Sequence, residues 1–187
     1  MDTLPLYLLS GGESRRFGSD KARASVGDET LIEVAARALR PVTESVTVIA
    51  DRDDKYADLG LRTLGDERPG QGPLAGIERA LMDSAEPWIL IATCDVLGLR
   101  SAWAEQLMEH REDGARAVVF RGSERWEPLF ALYHVSILPL VQDALERGER
   151  AVWKVLEGAP VVALPLPEGW EEVGVINTPE SLARYLR

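Results

Sequence analysis

Cysteine and histidine are scarce: Cys94 is the single cysteine among 187 residues, and His110 and His134 are the two histidines. A lone cysteine can neither close an internal disulfide nor build a thiolate cage, and no motif joins the histidines at zinc-ligand spacing. No apolar run approaches the roughly 20 residues needed to span a bilayer. The start, Met1-Asp2-Thr3, lacks the basic residues that open a secretory signal, so the cytoplasm is the expected location, away from membranes. Positive charge is short as well. Lys and Arg total 21 against 31 Asp and Glu, a formal net charge of −10, which excludes a broad basic face for nucleic acid. With 45% hydrophobic and 28% charged residues, the chain suits a buried core rather than disorder, and its length suits one domain or one with a small appendage.

What is present alternates between two periods. Leu4-Pro-Leu-Tyr-Leu-Leu9 reads as a fully buried strand running into the turn Ser10-Gly11-Gly12. Thr30 and Glu33 fit a capping box, which predicts a helix with Leu31, Val34, Ala35, Ala38 and Leu39 on its buried face, ended by Pro41. Residues 46–50 read as a β-branched strand, and 62–72 as a long loop rich in Gly and Pro. Pro73 suits the first position of a helix whose buried stripe is Leu74, Ile77 and Leu81. Strands are expected at 88–92, 117–120 and 129–133, and helices at 101–110 and 135–145. Thr178-Pro179 is a cap and N1 proline opening a last helix through Tyr185. Such alternation predicts an α/β fold, a mostly parallel sheet with helices on both faces. Ligands bind beyond the carboxyl ends of such sheets, so the loops after Leu9, Ala50 and Ala92 are the places to search.

The loop after Leu9 carries the chemistry. Glycines directly behind a strand let backbone N–H groups approach an anion. Between Glu13 and Arg23 stand the cations Arg15, Arg16, Lys21 and Arg23 against Glu13 and Asp20. With a Debye length of about 8 Å at physiological salt, that local excess outweighs the acidic chain at a bound ligand. Neither G-x-x-x-x-G-K-[ST] nor G-x-G-x-x-G occurs here, and a glycine turn beside a solvated basic patch is the plain alternative.

The whole segment, Leu9-Ser-Gly-Gly-Glu-Ser-Arg-Arg-Phe-Gly-Ser-Asp-Lys21, resembles the signature L-x-G-G-x-S-x-R-x-G-x-D-K of MobA-type nucleotidyltransferases, the molybdenum cofactor guanylyltransferase family. The resemblance implies a three-layer Rossmann-like nucleotidyltransferase fold over 1–187, with a nucleotide half to about residue 100 and an acceptor half after it. It implies that Leu9, Ser10, Gly11 and Gly12 wrap the nucleotide and that Arg16 and Lys21 neutralise charge at the reacting phosphorus. Asp66, followed by Gly72-Pro-Leu-Ala-Gly76, resembles the family's second block, in which the Asp helps to hold the nucleoside. One carboxylate can accept both the N1–H and N2–H of guanine, although a capping or turn aspartate reads the same in sequence. Cys94-Asp95 resembles a C-D block whose Asp binds magnesium, so Asp95 is the implied metal ligand, Mg2+ the cofactor, and Cys94 a small buried residue.

The family pattern C-D-x-P is broken here by Val96-Leu97, and an H-P-L…A-L-Y segment is represented by Glu127-Pro128-Leu129 and Ala131-Leu-Tyr133. Gly148-Glu-Arg150 and Ile176-Asn177-Thr178-Pro179 match two further blocks, with Val175 where the family often has Asn. Trp126, Pro128, Arg150 and Asn177 are the implied acceptor-binding residues. The implied reaction transfers GMP from GTP to molybdopterin, releasing pyrophosphate. GTP and molybdopterin are then the small-molecule partners, and transient contact with molybdoenzyme-maturation proteins is expected. CTP as donor, another phosphorylated acceptor and a non-catalytic nucleotide-binding role stay open as alternatives.

Overall fold

The computed structural model describes residues 3–10, 17–123 and 125–187. In chain order these form β1 (Leu4–Leu9), the hairpin strands β2 (Ser25–Val26) and β3 (Glu29–Thr30), α1 (Leu31–Leu39), β4 (Thr43–Ala50) and β5 (Arg62–Gly65). Next come α2 (Pro73–Asp83), β6 (Trp88–Thr93), β7 (Val96–Leu97), α3 (Ser101–Glu109), β8 (Ala117–Arg121) and β9 (Trp126–His134). The chain continues with α4 (Leu138–Glu146), α5 (Val152–Glu157), β10 (Val161–Pro165), β11 (Gly174–Val175) and α6 (Pro179–Tyr185).

Among the described residues, seven strands make one sheet in the order β10-β8-β9-β6-β1-β4-β5. Strands β6, β1, β4 and β5 are parallel neighbours; β9 is antiparallel to β6 and β8, and β8 is parallel to β10. All of β1 is buried because both faces are covered. Leu4, Leu6 and Leu8 pack with Trp103 and Leu107 of α3 and with Ile32 and Leu39 of α1. Tyr7 and Leu9 point the other way, into the cluster of α2, α4 and α5. The expected three layers follow from that alternation. A smaller cluster of Leu31, Leu97, Ile176 and Leu182 joins α1, β7 and α6. No helix among the described residues is long and apolar enough to cross a membrane.

Three expectations need correction. Residues 62–72 are not all loop: β5 pairs in parallel with β4 from Thr47↔Arg62 to Ala50↔Gly65. As a sheet edge it buries only Thr63 fully, so it lacks the uninterrupted apolar run that marks a central strand. On α1, Ile32 and Ala36 are buried alongside Leu31, Ala35 and Leu39, while Val34 and Ala38 are half-buried. This helix packs on the sheet and also on the Leu31–Leu97–Ile176–Leu182 cluster, so its apolar surface is wider than one stripe. The segment after β9 begins as a 3-10 turn over Val135–Ile137 before α4 starts at Leu138. By contrast, Thr30 caps α1 as expected, with its N–H donating to Glu33 Oε2 at 2.8 Å.

Candidate active site

A cavity of about 410 Å³ opens at the carboxyl ends of β1, β4 and β6. Strand order reverses there, since β4 leads away from β1 on one side and β6 on the other. Seven expected residues, Leu9, Ser10, Lys21, Asp66, Gly76, Asp95 and Asn177, line it. Gly11, Gly12 and Arg16 lie outside the described residues.

Lys21 and Asp95 meet directly. Lys21 opens a 3-10 turn whose cap is Asp20, with the Ala22 N–H donating to Asp20 Oδ1 at 3.1 Å. Asp95 follows the end of β6, where the Cys94 N–H donates to the Leu9 carbonyl at 3.3 Å. The Lys21 Nζ lies 2.7 Å from Asp95 Oδ2, with the side chains 19% and 25% exposed. The pair therefore remains open to the cavity instead of being sealed in the core. Behind it, Ile176 N–H donates to the Asp95 carbonyl at 2.8 Å, and β7 pairs with β11. That ladder holds the segment in which the family's proline is absent.

The donor chemistry suits magnesium. Among the described residues no three His, Cys, Asp or Glu cluster to cage a metal. Asp95, in the cavity wall opposite Lys21, suits an ion that takes one or two carboxylates and completes its shell with phosphate and water.

Asp66 does both things its sequence context allowed: it lines the cavity and caps a turn. Its N–H donates to the Ala50 carbonyl at 2.7 Å, and its Oδ1 accepts the Arg68 N–H at 2.8 Å. Arg68 Nε in turn donates to Glu78 Oε2 at 2.8 Å. Glu78 is 4% exposed, so this ion pair satisfies a carboxylate that would be costly to bury alone. Gly76 lets α2 approach β1 closely, because a Cβ there would meet Leu9 Cδ2 at 3.1 Å. The first turn of α2, the positive end of its dipole, thus faces the cavity through Gly72, Pro73 and Gly76.

The other expected acceptor residues are arranged around this wall rather than in it. Arg150 donates to the Gly70 carbonyl at 2.9 Å, bracing the loop between Asp66 and α2. Trp126 lies under the Arg121 guanidinium, 4.6 Å from its ring centroid. Pro128 precedes Leu129, which does line the cavity, and its carbonyl accepts the Tyr133 hydroxyl at 2.8 Å. Burial raises the Glu127 carboxyl above its ordinary range, opposed by the charge of Arg125. Cys94 is buried, and burial, helped by the charge of Asp95, pushes its thiol up to about 12, which disfavours the thiolate. Asn177 reaches the cavity because its N–H is anchored on Ser181 Oγ at 3.0 Å.

Phe17, Thr93 and the buried Tyr56 carried no signal in sequence. Phe17 and Thr93 line the cavity, and the Tyr56 hydroxyl sits 2.7 Å from Ser10 Oγ. Only the position of Thr93 at a strand end could have singled it out.

The family model of the MobA-like NTP transferase domain matches residues 6–162. The molybdenum cofactor guanylyltransferase of Pseudomonas aeruginosa is 32% identical over 184 residues, covering 96% of this chain and 93% of that protein. The crystal structure of molybdopterin-guanine dinucleotide biosynthesis protein A from Archaeoglobus fulgidus aligns with a TM-score of 0.80 and 27% identity, covering 97% of this chain and 96% of that one. At 17% identity, 2-C-methyl-D-erythritol 4-phosphate cytidylyltransferase from Thermus thermophilus shares the fold, with a TM-score of 0.71 over 100% of this chain and 98% of that one. The family model over residues 6–162 and a relative 32% identical across 96% of the chain show that the chain belongs to the MobA-like NTP transferase family.

Proposed function

We propose that the chain transfers GMP from GTP to the phosphate of molybdopterin, releasing pyrophosphate and forming a guanine dinucleotide cofactor. One observation carries this reading: Lys21 and Asp95 stand 2.7 Å apart in the wall of a cavity built at the strand reversal. In the reaction, an oxygen of the acceptor phosphate forms a new bond to the α-phosphorus of GTP while the bond to the leaving pyrophosphate breaks. A phosphate monoester with a second pKa of about 6 is mostly ionised at neutral pH, so the attack needs no histidine base. That accords with a wall furnished by carboxylates, an amine and an amide.

Lys21 and Arg16 oppose the charge that develops on the phosphoryl oxygens, and backbone amides of the first loop orient them. The Asp66 carboxylate retains lone pairs toward the cavity after accepting from Arg68, and these receive the guanine N1–H and N2–H. Asn177 and Leu129 face the acceptor, with Trp126, Pro128 and Arg150 bracing its side. Magnesium, held by Asp95, supplies Lewis-acid neutralisation of the phosphate oxygens when bound. GTP and a small phosphorylated acceptor are reactants of the cytoplasm, the location that fits this reading, and transient contact with molybdoenzyme-maturation proteins would pass the product on.

Incubation with GTP, magnesium and molybdopterin, followed by mass spectrometry, tests the assignment. The expected product is a guanine dinucleotide formed together with pyrophosphate. A product from CTP but not GTP, or nucleotide binding without any product, would overturn it.

A further inference from the structure

We infer that Tyr56 is a positioning residue for this transfer, its hydroxyl tying Ser10 to Asp20 and thereby setting where Lys21 stands. The inference rests on the reading of the site given above. It starts from a packing fact: Tyr56, between β4 and β5, is among the largest fully buried side chains, at 0% exposure. Its hydroxyl lies 2.7 Å from Ser10 Oγ and 3.0 and 3.2 Å from the two oxygens of Asp20. These partners are 46 and 36 residues away in sequence, one just after β1 and the other just before Lys21.

Proton counting fixes the direction of the chain. An ionised carboxylate can only accept, so the one phenolic proton goes to Asp20, and the Ser10 hydroxyl must donate to Tyr56. The Ser10 N–H is already committed to the Ile49 carbonyl at 2.9 Å. Burial, with the Asp20 charge adding to it and the Ser10 hydrogen bond opposing, pushes the Tyr56 hydroxyl up to about 12. It keeps its proton throughout the neutral range and works by geometry, not by acid–base exchange.

The tie is anchored at every end. Tyr56 N–H donates to the buried Thr63 Oγ1 at 3.2 Å, and the Tyr56 carbonyl accepts from Leu59 and Leu61 at 3.0 and 3.2 Å. Arg23 and Lys55 flank the ring, 5.2 and 5.4 Å from its centroid. Asp20, besides taking the phenolic proton, caps the turn that Lys21 opens and lies 3.4 Å from Lys55 Nζ. A hydrogen-bonded line therefore runs from the end of β1 through Tyr56 and Asp20 to the Lys21 turn, and the Lys21 side chain completes it on Asp95.

Tyr56→Phe keeps the ring and deletes the tie, and a double-mutant cycle with Lys21→Ala reads its route. Turnover measured as pyrophosphate release from GTP should fall about tenfold while the KM for GTP moves less than about threefold. In the Lys21→Ala background the same change should cost less than about twofold, since the effect runs through Lys21. Equal losses in both backgrounds, or none in either, overturn the inference. Amide hydrogen exchange gives a readout independent of activity: Ala22 should exchange about tenfold faster in Tyr56→Phe while β8 and β9 keep their protection. Unchanged Ala22 exchange, or uniform acceleration across the sheet as from mere destabilisation, also overturns it. A wild-type protein that makes no product while its Ala22 amide still responds would sink the functional reading and leave the tie standing.

Discussion

The two sides of the sheet meet at β6 but furnish the cavity differently. From β5 to β6 the strands are parallel, so their carboxyl ends and following loops converge on one rim. Across β6, the antiparallel β9 brings its amino-terminal end to that rim instead. Among the described residues, every lining residue except Leu129 and Asn177 comes from before residue 100, including the charged Asp20, Lys21, Asp66 and Asp95. Among the described residues, the parallel side presents charged and polar groups to the cavity, while β9 contributes Leu129 and the segment after β11 contributes the Asn177 amide. Nucleotide recognition is therefore expected to respond steeply to single substitutions, and acceptor recognition shallowly.

The hardest test of that contrast is Asp95→Asn, which should lower magnesium-dependent pyrophosphate release by about a thousandfold. A part-exposed ion pair contributes only about 0–1 kcal/mol, so the melting temperature should stay within a few degrees. Near-wild-type turnover would remove Asp95 from the chemistry. A smaller effect is expected from Asp66→Asn, judged by kcat/KM for GTP against ITP, which lacks the 2-amino group. The wild-type preference for GTP should shrink by about tenfold, the order of one charge-assisted hydrogen bond. A preserved preference would mean that Asp66 serves only its turn. Smallest is Asn177→Ala, expected to raise the acceptor KM about threefold with the GTP KM unchanged. An equal rise in the GTP KM would erase the distinction between the sides.

The same contrast governs what could be read from sequence. Buried parallel strands such as Leu4–Leu9 announce themselves because both faces must be apolar, and Thr30 and Pro73 announce the helices packed on them. β5 escaped because an edge strand of four residues needs no such run. Lys21, Asp66 and Asp95 were legible through their motifs, and the structure brings all three to one wall. The Ser10–Tyr56–Asp20 line was not, because hydrogen bonds spanning 46 and 36 residues leave no local period. Nor did the sequence reveal that Arg150 braces Gly70, since a basic residue near an acceptor motif suggests a ligand before it suggests a backbone carbonyl.

The pairing of β7 with β11 ties the last strand and helix to the segment that carries Asp95. β11 and α6 lie beyond residue 162, where the family match stops, and all seven strands of the main sheet precede them. A protease cut after residue 172 would spare that sheet yet strip away the buttress at the Asp95 carbonyl and the Asn177 side of the pocket. Such a clipped molecule would keep its main sheet but lose α6, and it is expected to release pyrophosphate far more slowly, so intact mass belongs beside every activity measurement.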